Sequence, residues 1–580
     1  MGIESHLSVS ILLTTTLFAF ILILISACIL LKPASFRLFA QQSSSQDFVT
    51  YEKRSNFIQE FAVPVNERGL KGIVTDDEQN VWFYHATNKS STIMKMSQET
   101  NNFTSYTIPG NSTSDSAIIN LAGGQLLFDN LSNVIWFTDA RTNSLGKLDT
   151  KTSMIELFPI PTTNSGIMGL ILSPDRKFIW FTEIIGNKLG SFDIKNNKIM
   201  EYSTGEATGP TLLTFDSNGL LWVTLSYANS ILRVEPWLLI PGSLNTGMYS
   251  ISLGELDSFS PFGIAIAKVN GMEKIFVSDH GSSRVIVSNI TSDLKSYTSY
   301  WTSPSMALPM SLPSQVVTDK DGNVFFIEHG GNKIGKISSD GMMTEFDIPT
   351  GPLATSVFLT VTENGKQIWF TEWASNKIAY LDNTLQVPLT ISVTKNQSAS
   401  MDSDMAPLTL KTGGSFPLNL SLSLDKNSSS LAIANDTKLS LVGMTDSGLQ
   451  GVEYTLEAQS VNLMETPDRH VGIGLRVETE SAIAGNYTFM IRASLLENDG
   501  LVISLLSPQL VKLDVPTKPA EINKIENFRQ FSSKNDVSSN SSAFFSDLIR
   551  IGAIAVIIIL VGYLIYHKIK RRSKFNEHKS

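Results

Sequence analysis

Between residues 57 and 385 one unit of four short segments recurs seven times, and its period leaves few folds open. Each copy has a Gly- or Pro-led apolar segment, a turn with Asp, Asn or Gly, an aromatic segment, and two further segments ending near Pro or Gly. The first aromatic of each copy falls at Trp82, Trp136, Trp180, Trp222, Phe276, Phe325 and Trp369, at spacings of 42 to 54 residues. That is the period of a four-stranded propeller blade, and too long for leucine-rich or hexapeptide coils. The expected fold class is therefore all-β, with a seven-bladed β-propeller over 57–385.

The last copy reaches Ala379-Tyr-Leu381 without an outer strand of its own. A spare segment, Phe57 to Pro64, carries the same Glu-Phe-x-x-Pro ending as Glu345 to Pro349. It is expected to close the ring by completing blade seven, because an open blade would leave an unpaired strand edge.

Beyond Gln386 the repeat stops. Residues 386–516 read as alternating short strands with no helical period, which predicts a β-sandwich. Ala484 to Ile491 resembles a late strand of immunoglobulin-like modules, so an immunoglobulin-like spacer is expected there.

Apolar runs bracket the chain. Residues 1–40 read as a signal peptide or signal anchor, 517–546 as a polar stalk, and 547–567 as a transmembrane helix. The basic tail 568–580, with Lys568, Lys570, Arg571, Arg572 and Lys574, is expected in the cytoplasm and the main body outside the cell. Many Asn-x-Ser/Thr sequons, among them Asn88, Asn289 and Asn486, suit a glycoprotein. The single cysteine, Cys28, leaves the body without a disulfide or thiolate metal site, and the net charge of -9 argues against nucleic acid as a partner. A membrane, and a small molecule or surface protein as ligand, are the partners expected.

Ligands of propellers sit over the central channel. The residues ending the aromatic strands are His85, Asp139, Glu183, Leu225, Asp279, Glu328 and Glu372, five of them acidic. Converging on one axis, such acids could hold a divalent cation; alternatively each closes a tight turn or pairs with a neighbouring Lys. His280 and His329 directly follow acids and offer a general base or a metal ligand.

Trp-Phe-Thr-Glu followed by Asn-Lys-Ile-Gly-Lys-Ile, as at Trp369 to Glu372 and Asn332 to Ile337, resembles the virginiamycin B lyase (streptogramin lyase) type of seven-bladed propeller over Phe57 to Asp382. That resemblance implies magnesium-assisted elimination at the ester bond of a cyclic depsipeptide, with a His as general base. It points to His329 and Glu328 as catalytic candidates, and to Glu372, Glu328 and Asp279 as candidates for holding Mg2+. His280, Glu183, Asp139 and His85 would lie on the ligand face. The inner strands that match the family's His-bearing position instead read Pro261-Phe-Gly-Ile264, Pro313-Ser-Gln-Val316 and Thr355-Ser-Val357. A non-catalytic ligand- or protein-binding propeller, and a lactonase-like hydrolase with Ca2+, are the alternative readings.

Overall fold

The structure, a computed structural model, describes residues 53–514 apart from internal stretches, of which the longest are 253–259, 304–309, 396–407, 425–432 and 443–452. The expected leader, stalk, membrane helix and basic tail lie outside the described residues. Among the described residues no helix is long and apolar enough to cross a membrane.

Seven antiparallel blades form the propeller, each with its strands in the order inner, second, third, outer. Six blades take all four strands from consecutive sequence. The seventh joins Ser356–Val361, Gln367–Glu372 and Lys377–Asp382 to an outer strand from the start of the body, Ile58–Ala62. In the seam Glu60 lies opposite Ala379 and Phe61 opposite Ile378, and Lys377 Nζ meets Glu60 at 2.7 Å.

Each residue of the repeated motif has a packing task. The Trp fills the space between blades: Trp82 packs with Leu126 and Phe137 of blade two, and Trp369 with Ile73 and Phe83 of blade one. The Phe lies across the glycine of the third strand. Phe137 is paired with Gly146, Phe181 with Gly190 and Phe326 with Gly335. A Cβ on any of these glycines would stand 2.0 to 2.1 Å from the ring. Where the second strand carries Val instead, the partner is large: Val223 faces Leu232 and Val277 faces Ile286. Volume is thus traded across the strand pair in these blades, whereas blade seven sets Phe370 opposite Ala379 and blade one sets Phe83 opposite Met94.

The Thr joins neighbouring blades. Thr182 Oγ1 accepts the Gly169 amide at 2.9 Å and donates to Thr211 O of the next inner strand. Thr138 donates to Met168 O, Thr224 to Phe262 O, Ser278 to Ser314 O, and Thr371 to Lys71 O across the closing seam. In blade six the position is Ile327, and Ser314 Oγ makes the link instead, to Val357 O at 3.1 Å. These hydroxyls serve inner strands whose register slips near the upper end, for example between Pro261 and Ile264. A bulge frees backbone groups there and re-aims side chains, and the hydroxyls satisfy what it frees.

Residues 389–514 supply two further sheets. One consists of Leu389–Lys395, Ser415–Leu424, His470–Glu478 and Glu453–Leu456. The other does not stand apart from the propeller. Its long strand Val502–Asp514 pairs with the outer strand of blade six, with Met343 opposite Leu506 and Phe346 opposite Ile503. The Val502 amide also donates to Asp347 Oδ2 at 3.0 Å, and Met490 and Leu506 enter one core with Tyr300, Phe326 and Met343. The strand runs through Pro508. Pro508 is tolerated since blade six covers that edge only to Leu506, and Leu408–Lys411 only from Val511. The segment expected to hang as a spacer is hydrogen-bonded into the propeller.

Gly190→Ile is expected to lower stability by about 2 kcal/mol or more through overpacking against Phe181. The double variant Phe181→Val with Gly190→Ile, which copies blade five, is expected to recover most of that loss. A double-mutant cycle of urea midpoints checks the coupling; simple additivity would contradict it.

Candidate functional site

The acids at the ends of the second strands do not converge on the axis. Alternation along a strand sends successive side chains to opposite faces, and Asp139, Glu183, Asp279, Glu328 and Glu372 all turn into their blades, where each is fully buried. Every one sits over the residue three positions on, which closes the turn into the third strand. Asp139 accepts from Thr142 Oγ1 at 2.7 Å, Asp279 from the Ser282 amide at 3.1 Å, and Glu372 from Ser375 Oγ at 2.6 Å. In blades three and six that position is Gly186 and Gly331, where a Cβ would lie 2.6 Å from the carboxylate of Glu183 or Glu328.

Opposite four of the five acids, in register, stands a basic first residue of the third strand: Lys188 for Glu183, Arg284 for Asp279, Lys333 for Glu328, Lys377 for Glu372; Asp139 faces Ser144. Arg284 Nε meets Asp279 at 2.9 Å, and Lys188 Nζ meets Glu201 of the outer strand at 2.7 Å. Asp139 is held by Tyr84, Ser91 and Arg141. His85 is tied through Nε2 to Glu67 O at 2.9 Å, at the edge of blade one.

This donor set does not suit Mg2+, which asks for several oxygens around one point. The carboxylates are separated blade from blade, each buried at the end of its own second strand, and Asp279 and Asp139 already pair with Arg284 and Arg141. Among the described residues no three His, Cys, Asp or Glu side chains are grouped to hold a metal ion.

Burial leaves its mark on three of these acids. Glu183 is pushed up to about 8 by burial and then by the charge of Glu201; Glu372 also reaches about 8, by burial and then Glu60. Glu328 is raised well above the usual carboxylate range by burial and by Glu345. Glu183 and Glu372, both at about 8, keep their proton at neutral pH, and burial pushes Glu328 in the same direction.

The residues that do face the mouth come one position later. There an apolar floor of Ala122, Ala140, Met168, Ile184 and Phe358 is edged by Tyr227, Phe262 and Val357. His280 and His329 stand on adjacent blades with ring centroids 6.4 Å apart, and Phe262 lies 5.7 Å from His280. His280 Nδ1 is 3.1 Å from Pro313 O, and His329 Nδ1 is 3.0 Å from Ser356 O. A carbonyl only accepts, so both Nδ1 atoms carry the proton and both Nε2 atoms keep a lone pair. Burial lowers both rings, His280 to about 4 with the charge of His329 adding to it, against the hydrogen bond to Pro313. Both are neutral at pH 7.

Lys71, which the sequence reading passed over, is the second residue of blade one's inner strand and equivalent in place to Phe262. Its Nζ donates to Ile119 O and Ala122 O at 2.6 Å each, pinning the long link between blades one and two over the mouth. Burial brings it down to about 7, opposed by Asp139. The signal that could have found it is its place in Leu70-Lys-Gly-Ile73, the counterpart of Pro261-Phe-Gly-Ile264. Below the mouth the channel widens to a cavity of about 240 Å³ edged by Gln125, Leu213, Thr214, Ile264, Gln315 and Thr318.

For a buried acid raised to about 8, the folded state keeps a proton that the unfolded state loses near 4.5. Stability therefore falls as pH rises from about 4.5 to 8, and is flat on either side. Glu183→Gln is expected to remove a decline on the order of a few kcal/mol while leaving the fold intact. Denaturant midpoints of both proteins between pH 4 and 9 check this; parallel profiles would show Glu183 already ionised.

Residues 56–246 match the model of the virginiamycin B lyase family, a stretch that ends within blade four. Among solved structures, selenomethionine-substituted virginiamycin B lyase from Staphylococcus aureus is 23% identical, the match covering 56% of this chain and 98% of that one with a TM-score of 0.46. A streptogramin B lyase structure is 22% identical, with 56% and 97% covered and a TM-score of 0.47. A catalytically inactive S. aureus virginiamycin B lyase with quinupristin is 22% identical, with 56% and 98% covered and a TM-score of 0.46. No curated protein sequence matches.

Proposed function

We propose that the chain is a membrane-anchored, outward-facing propeller with an immunoglobulin-like module, and that its mouth binds a small, largely apolar ester and opens it by elimination. The observation that carries this reading is the His280–His329 pair over an apolar floor, each ring fixed through Nδ1 with Nε2 free to accept. His329 is the base: burial, with the charge of His329 adding to it, brings His280 to about 4, whereas His329 is lowered by burial without such a neighbouring charge.

The reaction asks one thing of that nitrogen. It takes the proton from the carbon beside a carbonyl; the neighbouring carbon–oxygen bond of the ester breaks; the electron pair forms a carbon–carbon double bond, and a carboxylate leaves. Phe262, Val357 and Met168 keep water from the site and hold the apolar ring of a cyclic substrate. No step is assigned to Mg2+ or Ca2+, because the acids expected to hold them close turns.

A second reading, binding without turnover, is favoured by one feature. The inner-strand positions that would bring a further imidazole carry Phe262, Ser314 and Val357. The two readings separate on quinupristin, the compound named with one of the similar structures. Elimination gives a linear product of unchanged mass, whereas lactonase-like hydrolysis adds one water.

His329→Ala is expected to lower turnover by about 10²–10⁴-fold, and Glu328→Gln to change it only a few-fold. The rate is expected to rise with pH through a value below 6.5, where His329 loses its proton, and then to level. Chromatography with mass detection reads all three. Saturable binding with no product would support the second reading, and neither binding nor product would remove both.

A further inference from the structure

The lower face of the propeller carries the first-to-second and third-to-fourth strand turns. In most blades the third-to-fourth turn is short and polar, as at Ile194-Lys-Asn-Asn197 and Ser338-Ser-Asp-Gly-Met342. Blade four differs. Its third strand ends at Val234 and its outer strand begins at Met248, and from Pro236 to Met248 the sequence has no charged residue.

The front of this insertion, Pro236-Trp-Leu-Leu-Ile-Pro241, is framed by prolines and opens with a 3-10 turn at Pro236–Leu238. Trp237 is 62% exposed, Leu238 44% and Ile240 57%. Trp237 reaches the neighbouring turn at Gly219, so it lies on the rim and not in a core. Other exposed apolar side chains share this face: Leu131 and Met154 on the turns of blade two, and Met272 at the start of blade five's second strand. A concentration of exposed apolar side chains on one face marks a contact surface.

We infer that the Pro236–Pro241 loop is a lipid-facing element that seats the lower face of the propeller on the bilayer and turns the His280–His329 mouth outward. The inference rests on the membrane-anchored reading above. Two observations select lipid over a protein partner. The loop offers Trp, Leu and Ile with no charged side chain and only the Trp237 indole N–H as a polar group, the composition of an interfacial insertion. In addition, the 30 residues of 517–546 separate the body from the apolar run 547–567. At no more than about 3.5 Å per residue, that chain cannot span more than roughly 100 Å. The loop therefore meets the bilayer at an effective concentration on the order of 1 mM, at which weak partitioning by three apolar side chains suffices.

The test uses the full chain in nanodiscs, with and without brominated acyl chains as a fluorescence quencher. Retention of the chain in the disc checks the anchored reading by itself. Given retention, Trp237 is expected to be quenched by brominated lipid and shielded from iodide; Trp237→Phe then removes most of the bromolipid-sensitive emission. The pair Leu238→Asp with Ile240→Asp, on an exposed loop that the fold does not need, is expected to cut Trp237 quenching at least twofold. Quenching of Trp237 by iodide and not by brominated lipid would overturn the inference. Shielding from both quenchers would overturn it too, in favour of a protein partner or second copy.

Discussion

A ring of side-chain hydroxyls between neighbouring inner strands is the constraint on which this propeller depends. Thr138, Thr182, Thr224, Ser278 and Thr371 each reach from the end of a second strand to a carbonyl of the next blade's inner strand. Strands of different blades share no ladder, so apolar packing alone would leave the bulged inner strands with unpaired backbone groups. The hydroxyls satisfy those groups and fix the pitch between blades. The link from Thr371 to Lys71 joins residues 300 positions apart across the closing seam, and between blades one and two the Gly72 amide donates to Gly124 O instead.

That constraint explains what was legible. Trp, Phe and Thr of the motif recur because each blade meets its neighbours in the same way, and the spare Glu60-Phe61 segment could be placed because it repeats the outer-strand pattern of Glu345-Phe346. The acids follow the same logic, as the second of the two readings of them had it. A residue repeated in every blade more often serves what every blade needs, and Glu183, Glu328 and Glu372 lie buried over turns, opposite Lys188, Lys333 and Lys377. The side chains that face the mouth lie one residue along, at positions that differ between blades: Ala140, Ile184, His280, His329. Sequence identified the two His but not their pairing, since which neighbours share the mouth depends on where the bulges aim the inner strands.

The fused sheet was illegible for another reason. Val502–Leu506 reads as an ordinary apolar stretch before a proline, and nothing local says that its partner is Met343–Phe346, some 160 residues earlier. Once paired, it covers the outer edge of blade six, which would otherwise be open, and ties residues 389–514 to the ring.

The account stands or falls on His280 and His329 presenting unprotonated Nε2 atoms to the mouth. The direct measurement is the tautomer of each ring, read from long-range nitrogen–proton correlations of histidine-labelled protein at pH 7, with single His→Gln variants giving the assignments. The prediction is a neutral ring protonated at Nδ1 for both, unchanged down to pH 6 for His280. A proton on Nε2, or a charged imidazolium at pH 7, would mean that the mouth has no base.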